Sequence, residues 1–216
     1  MGNKIYPDSG VELKPFTAQH YDSLMNTISL GWYKRFILRA IKDMEIQPND
    51  SILDLGCGTG RNAGLMASYL NENGGITGLD VSGIMEKQFN KKFSDDKRIQ
   101  FVRQRADIPF DMGQKFDKIL ISFVIHGFPH EARKIVVSNI INHLKPGASF
   151  FMLDFAEFNM AEMPAFHRFV FKSIECKYAF DFIEKDWKQI LIENGFNDFR
   201  ETFYMKRYVR LLKAIK

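Results

Sequence analysis

Residues 53–60 read LDLGCGTG, with Gly56, Gly58 and Gly60 directly after an apolar run. Glycine there lets the backbone turn sharply and lets a ligand approach main-chain N–H groups where a Cβ would collide. Residues 58–63 also satisfy the G-x-G-x-x-A form of a dinucleotide fingerprint, so the glycines alone leave the cofactor open. Asp80, closing the segment GLD, stands where a carboxylate can accept both ribose hydroxyls of an adenosine. Asp107, in RADIP, can accept from the exocyclic amine of adenine, and the backbone N–H of Ile108 can serve a ring nitrogen. His126 lies at the end of an apolar run, and its ordinary pKa of about 6.5 suits a general base. The alternative is a histidine that orients its loop or hydrogen-bonds a substrate.

These residues need a scaffold that gathers strand ends. Residues 16–44 have helical periodicity with Gly31 as a divider, and Ser51–Leu55 is a short apolar strand feeding the glycine loop. The alternation then repeats: a helix through Leu65, Met66 and Leu70, a strand over 76–81, and a helix from Ser82 to about Lys92. Strands follow over 99–105 and 116–125, the second nearly all apolar, as expected where helices cover both faces of a parallel sheet. A helix over 131–145 ends at Pro146 and Gly147 before a strand over 148–154. After a helix around Trp187, residues 196–216 alternate as two strands joined near 205–207. Repeated βα units with a hairpin finish predict a doubly wound α/β sheet in a single domain.

Composition narrows the class further. The chain has 216 residues, 45% hydrophobic and 26% charged, values that exclude disorder and fibrous repeats. No apolar stretch reaches the roughly 20 residues needed to cross a bilayer, and the first residues carry no pattern of a signal peptide or lipid anchor. Cys57 and Cys176 are the only cysteines and lie far apart, which predicts no metal site and a reduced, cytoplasmic setting. Cys57 reads as a small loop residue, because nothing places a base beside it. A net charge of +4 from 30 cations and 26 anions describes a mixed surface, so no nucleic-acid partner is expected.

Taken together, these segments resemble class I S-adenosylmethionine (SAM) methyltransferases. LDLGCGTG resembles the family's first motif, GLDVSGIM its ribose motif, and RADIPF its adenine motif. FDKILISFVIHGF resembles its fourth strand and LKPGASFFMLDF its fifth. The resemblance implies a seven-stranded Rossmann-like sheet of order 3-2-1-4-5-7-6 with strand 7 antiparallel. It also implies SAM as methyl donor, S-adenosylhomocysteine as product, and a small-molecule acceptor. Asp54 is implied to order the glycine loop near the methionine part of the cofactor. Gly56, Cys57 and Gly58 would line it, Asp80 and Val81 hold the ribose, Asp107 and Ile108 hold the adenine, and Ser122 sits beside the sulfonium. Residues 21–36, YDSLMNTISLGWYKRF, are similar to the N-terminal helix of the ubiquinone/menaquinone biosynthesis C-methyltransferases, which implies that Tyr21 helps close the cofactor site.

The acceptor side is expected where strand order reverses, beyond the carboxyl ends of the strands, at His126, Phe128 and Asp154. His20, His130, His143 and His167 have no such placement and read as surface residues. Residues 1–47 are expected to form a helical cap, and 155–183 a substrate cover. Phe158, Met160, Met163, Phe166, Phe169 and Phe171 in that cover either line an apolar acceptor pocket or pack in the core. A nicotinamide-dependent oxidoreductase and an RNA or protein methyltransferase are rival functions. The first lacks a substrate domain here. The second lacks the Asn/Asp-Pro-Pro-aromatic motif, the corresponding residues 122–125 being SFVI. A non-catalytic SAM-binding scaffold is a further alternative.

Overall fold

Apolar alternation along each strand decides how the chain stacks. In the computed structural model, which describes Tyr6 and residues 32–216, strands β1 (Ser51–Leu55), β2 (Gly75–Asp80), β3 (Ile99–Arg103), β4 (Phe116–Ser122), β5 (Leu144–Phe155), β6 (Asn197–Tyr204) and β7 (Val209–Ile215) form one sheet. Its order is β3-β2-β1-β4-β5-β7-β6. Pairing is parallel from β3 through β5, and β7 runs antiparallel to both of its neighbours. The sheet order and the hairpin finish are those expected from the sequence.

Two apolar layers sandwich this sheet because successive side chains point to opposite faces. Leu53, Ile119, Ile121, Phe150, Met152 and Leu212 share one layer with Val136, Ile140, Phe182 and Trp187. Ile52, Leu120, Phe151, Leu153 and Leu211 share the other with Ile37, Ile41, Met66 and Phe89. The helices supplying these residues are α1 (Trp32–Lys42), α2 (Arg61–Ala67), α3 (Gly83–Lys92), α4 (His130–His143), α5 (Ala165–Ile174), α6 (Lys177–Ile183) and α7 (Trp187–Glu193). Ser82 caps α3 as expected, its hydroxyl accepting from the Met85 N–H at 3.3 Å.

Several boundaries differ from the sequence reading. Helix α4 stops at His143, and β5 already begins at Leu144, so Pro146 and Gly147 lie inside the start of a long strand. There Gly147 adopts φ 73° and its N–H bonds the carbonyl of Lys216. Strand β4 ends at Ser122 because Phe123 turns left-handed at φ 52°, and β3 ends at Arg103. His143, expected at the surface, is buried. Its Nε2 accepts the Met112 N–H at 3.1 Å and its Nδ1 lies 2.7 Å from the Asn139 carbonyl, one helical turn back.

Gly78 is where the glycine loop docks on the sheet. A Cβ there would lie 2.7 Å from Cys57 Sγ and 2.7 Å from the Phe89 ring. Gly78→Ala is therefore expected to destabilise the fold by about 1–3 kcal/mol through overpacking, read as a lowered midpoint in urea unfolding; an unchanged midpoint would show that the loop yields without cost.

Candidate functional site

Strand order reverses between β1 and β4, and the loops leaving their carboxyl ends diverge to opposite sides of the sheet. The glycine loop follows β1, with Gly56, Gly58 and Gly60 at φ 74°, 53° and 74°. The N–H groups of Gly56 and Cys57 bond the Leu79 carbonyl, stitching the loop to β2. Asp80 completes the loop: its Oδ2 accepts the Gly58 N–H at 3.0 Å and its Oδ1 accepts the Ser82 N–H at 2.9 Å. Burial raises its carboxyl above the ordinary range against the pull of these amides.

Asp54 behaves differently from the sequence expectation. Among the described residues neither of its buried oxygens has a hydrogen-bond partner, so the loop amide goes to Asp80 and not to Asp54. Burial, followed by the charge of Asp80, pushes the Asp54 carboxyl up to about 7. A buried, unpartnered carboxylate beside a second acid is what a cationic ligand completes, and the amino group of a methionine moiety supplies such a cation. A Cβ on Gly58 would meet nothing within 4 Å, leaving room over the loop for a ligand. Both observations fit SAM. Cys57 is buried, and burial followed by the charges of Asp54 and Asp80 pushes its thiol up, which agrees with a packing role.

A cleft opens beside this loop between Gly56, Asp80, Val81, Asp107, Phe128 and Tyr6. Burial pushes the Asp107 carboxyl up, but Arg105 and Tyr6 outweigh it and hold the group below its ordinary range. Arg105 grips that carboxylate through Nε at 3.0 Å and Nη2 at 2.7 Å, and the Tyr6 hydroxyl donates to it at 2.7 Å. The Tyr6 ring stands edge-on to Phe128 at 6.0 Å. Ile108 is 38% exposed, and its carbonyl is bound by the Asn139 side chain.

The second half of the site gathers beyond β4 and β5. His126 Nδ1 lies 2.8 Å from Oδ1 of Asp154, which also accepts the Phe155 N–H at 2.8 Å. Because a carboxylate only accepts, the network assigns the proton to Nδ1 and leaves the Nε2 lone pair for chemistry. Burial would lower the imidazole pKa, but Asp154 and then Glu175 outweigh it, so the ring is more basic than an ordinary histidine. Arg133 on α4 braces the assembly. It donates to the carbonyls of Ile125, His126 and Tyr178 and pairs with Asp181 at 2.7 Å. Its guanidinium also lies over the Phe182 ring at 5.2 Å.

Of the residues singled out from sequence, Gly56, Asp80, Val81 and Asp107 line one cleft, whereas Asp54 on β1 and Cys57 and Gly58 in the loop after it do not line it, Gly58 being tied to the cleft through its bond to Asp80. Ser122 closes β4, and Tyr21 lies outside the described residues. In the expected cover, Met163 and Phe171 are buried, whereas Phe166 and Phe169 are 74% and 69% exposed, so these two rings line no enclosed pocket. Sequence reasoning passed over Arg133, Arg105, Glu175 and Tyr6. An arginine inside the α4 pattern was the one legible signal, since long charged residues on an apolar helix face are seldom unpaired.

With that geometry in view, comparison with known proteins is informative. A model described as a methyltransferase domain matches residues 52–147. The demethylmenaquinone methyltransferase of Lactiplantibacillus plantarum is 31% identical over 141 residues, covering 63% of this chain and 58% of that protein. Its counterpart from Staphylococcus haemolyticus is 29% identical over 196 residues, covering 82% and 81%. The chain spans between about half and three-fifths of the length of the first curated relatives it matches. Among solved structures, a SAM-dependent methyltransferase from Aquifex aeolicus superposes with a TM-score of 0.65 at 16% identity, covering 94% of this chain and 99% of that one. The N-methyltransferase NodS from Bradyrhizobium japonicum, in complex with S-adenosylhomocysteine, gives 0.60 at 13%, covering 86% and 87%. Residues 52–147 therefore carry a methyltransferase domain, set on a sheet with the fold of SAM-dependent methyltransferase structures. In sequence the chain is similar to the demethylmenaquinone methyltransferases. Among the described residues no helix is long and apolar enough to cross a membrane.

Two expectations follow for the cofactor half. Asp80→Ala removes both the acid and the anchor of the Gly58 amide, and should weaken SAM by roughly 1.5–3 kcal/mol in calorimetry; undiminished binding to a folded variant would remove Asp80 from the site. Asp54 carries a pH signature. Its folded carboxyl titrates at about 7 against an ordinary 3.8, so between these values the folded chain holds a proton that the unfolded chain has lost. Without SAM, stability is expected to fall as pH rises through this window, by about 4 kcal/mol from this group. Urea unfolding of Asp54→Asn should lose that slope while SAM affinity drops, and a wild-type slope in the variant would contradict the assignment.

Proposed function

We propose that this protein transfers the methyl group of SAM to a small aromatic or lipophilic molecule in the cytoplasm, with His126 as general base. The observation that supports the reading is the Asp154–His126 pair, which holds the imidazole in the turn just past the carboxyl end of β4. SAM, when bound, supplies an electrophilic methyl on a sulfonium, and the electron pair of the broken S–C bond stays on sulfur as the new bond to the acceptor forms. Asp54, Gly56, Cys57 and Gly58 hold the methionine side of the cofactor. Asp80 and Val81 hold the ribose, Asp107 and Ile108 the adenine, Ser122 flanks the sulfonium, and Tyr21 closes the site. His126 takes the proton that the acceptor atom gives up, and Asp154 keeps the ring in the right tautomer.

Aromatic residues supply the apolar surroundings. Phe155 and Phe182 lie 5.1 and 6.3 Å from the His126 ring, and Phe155 packs in turn on Phe171. A water-poor wall suits a reaction in which cationic charge disperses, and residues 155–183 serve as the cover that excludes water. The demethylmenaquinone methyltransferases among the relatives support a flat, hydroxyl-bearing ring such as a reduced naphthoquinone as first candidate.

The test uses radiolabelled SAM and demethylmenaquinol. His126→Ala should lower kcat by at least about a hundredfold while leaving SAM affinity within about twofold. Near-normal turnover in the folded variant would reduce His126 to an orienting role.

A further inference from the structure

His126 has a second carboxylate beside it. Glu175, in the link between α5 and α6, places Oε2 3.6 Å from Nε2, on the side of the ring opposite Asp154. That distance is too long for a hydrogen bond but close enough for a strong charge interaction in a buried setting. The two side chains are only 13% and 21% exposed. Nε2 is also the atom that the proposed base uses, so Glu175 flanks the point where the acceptor's proton must arrive.

We propose that Glu175 is a positioning residue for methyl transfer: its carboxylate stabilises the imidazolium formed when Nε2 takes the acceptor's proton, and it restricts acceptors to those presenting a proton-bearing hydroxyl, amine or activated carbon to Nε2 rather than an anionic group. This rests on the reading of His126 as general base. The acceptor atom gives its proton to Nε2 as its electron pair takes the methyl. The ring then carries one positive charge between Asp154 and Glu175, and the proton leaves to solvent after product departs. A carboxylate substituent next to the reacting atom would add a third acid beside Asp154 and Glu175 and raise the cost of ionising Glu175 as the imidazolium forms.

Among the described residues, three charged groups act on the ring. Asp154 on β5 faces Nδ1, Glu175 faces Nε2, and Arg133 on α4 opposes both, with its own charge drawn toward Asp181 on α6. Cys176 follows Glu175 and sits near Arg133. Burial raises the Glu175 carboxyl, partly offset by His126, which fits a group whose ionised form depends on the imidazolium it faces.

The experiment needs no knowledge of the natural acceptor. The His126 titration is followed by nitrogen-detected NMR on the full chain with S-adenosylhomocysteine bound, assigned with His126→Asn. The midpoint should lie above that of an ordinary histidine and fall by about one pH unit in Glu175→Gln, while Glu175→Asp, which keeps the charge, should stay near wild type. With naphthohydroquinone as probe acceptor, Glu175→Gln should lower kcat about tenfold, shift the rising limb of kcat against pH downward, and leave SAM affinity unchanged. A midpoint and pH limb unmoved in a folded Glu175→Gln variant would overturn the proposal, whatever the change in stability. Failure of the underlying reading looks different: His126→Asn turning over within about tenfold of wild type removes the general base, and with it any catalytic part for Glu175, even where the Glu175→Gln midpoint has moved.

Discussion

Two carboxylates at neighbouring strand ends, Asp54 on β1 and Asp80 on β2, impose the constraint around which the site is arranged. Asp80 is satisfied by amides of the glycine loop and of the helix that follows it, so the loop keeps its shape without a ligand. Asp54 is buried with no hydrogen-bond partner among the described residues, and burial, followed by the charge of Asp80, raises its carboxyl to about 7. Such a group costs folding free energy. The apolar layers on both faces of the sheet must offset that cost, and a bound cation relieves it. The same feature that weakens the ligand-free fold thus favours a cofactor with a positive charge near the loop.

The acceptor half rests on different physics. Here an imidazole is kept basic by carboxylates, and its loop is held by an arginine buried among backbone carbonyls. Arg133 joins the turn carrying His126 to α6, so the imidazole and that helix are positioned by one side chain. Phe123 contributes from the neighbouring strand end: its left-handed backbone turns the chain out of β4, and its ring packs on Phe155 at 6.2 Å. Left-handed backbone at a residue of that size is costly and persists only where surroundings enforce it.

How much was legible beforehand varies with the range of the interaction. The alternation of strands and helices, the hairpin finish and the cap at Ser82 follow from short patterns, because alternation and capping are local, whereas the strand order rested on the resemblance of the whole motif series. The start of β5 at Leu144 escaped that logic, since Pro146 and Gly147 are ordinary helix terminators and the pairing of Leu144 with Phe116 outweighs them. His143 looked like a surface residue until the Met112 amide came to it from a distant loop. Phe166 and Phe169 were grouped with Phe171 by composition, yet helical rotation sends Phe171 inward and the other two outward.

The sequence by itself determined the class of fold and which candidate residues gather at the ends of β1 and β2, because those residues sit within a few positions of a strand end and their motif spacing encodes their placement. Only the tertiary structure decided which acid holds the glycine loop, which acid is left unpartnered, and that Asp154, His126 and Glu175 meet. Those contacts join residues 28 and 49 positions apart from His126, brought together by a parallel strand pairing and by helix packing. Their energies depend on burial and distance, and neither quantity is written in the order of the residues.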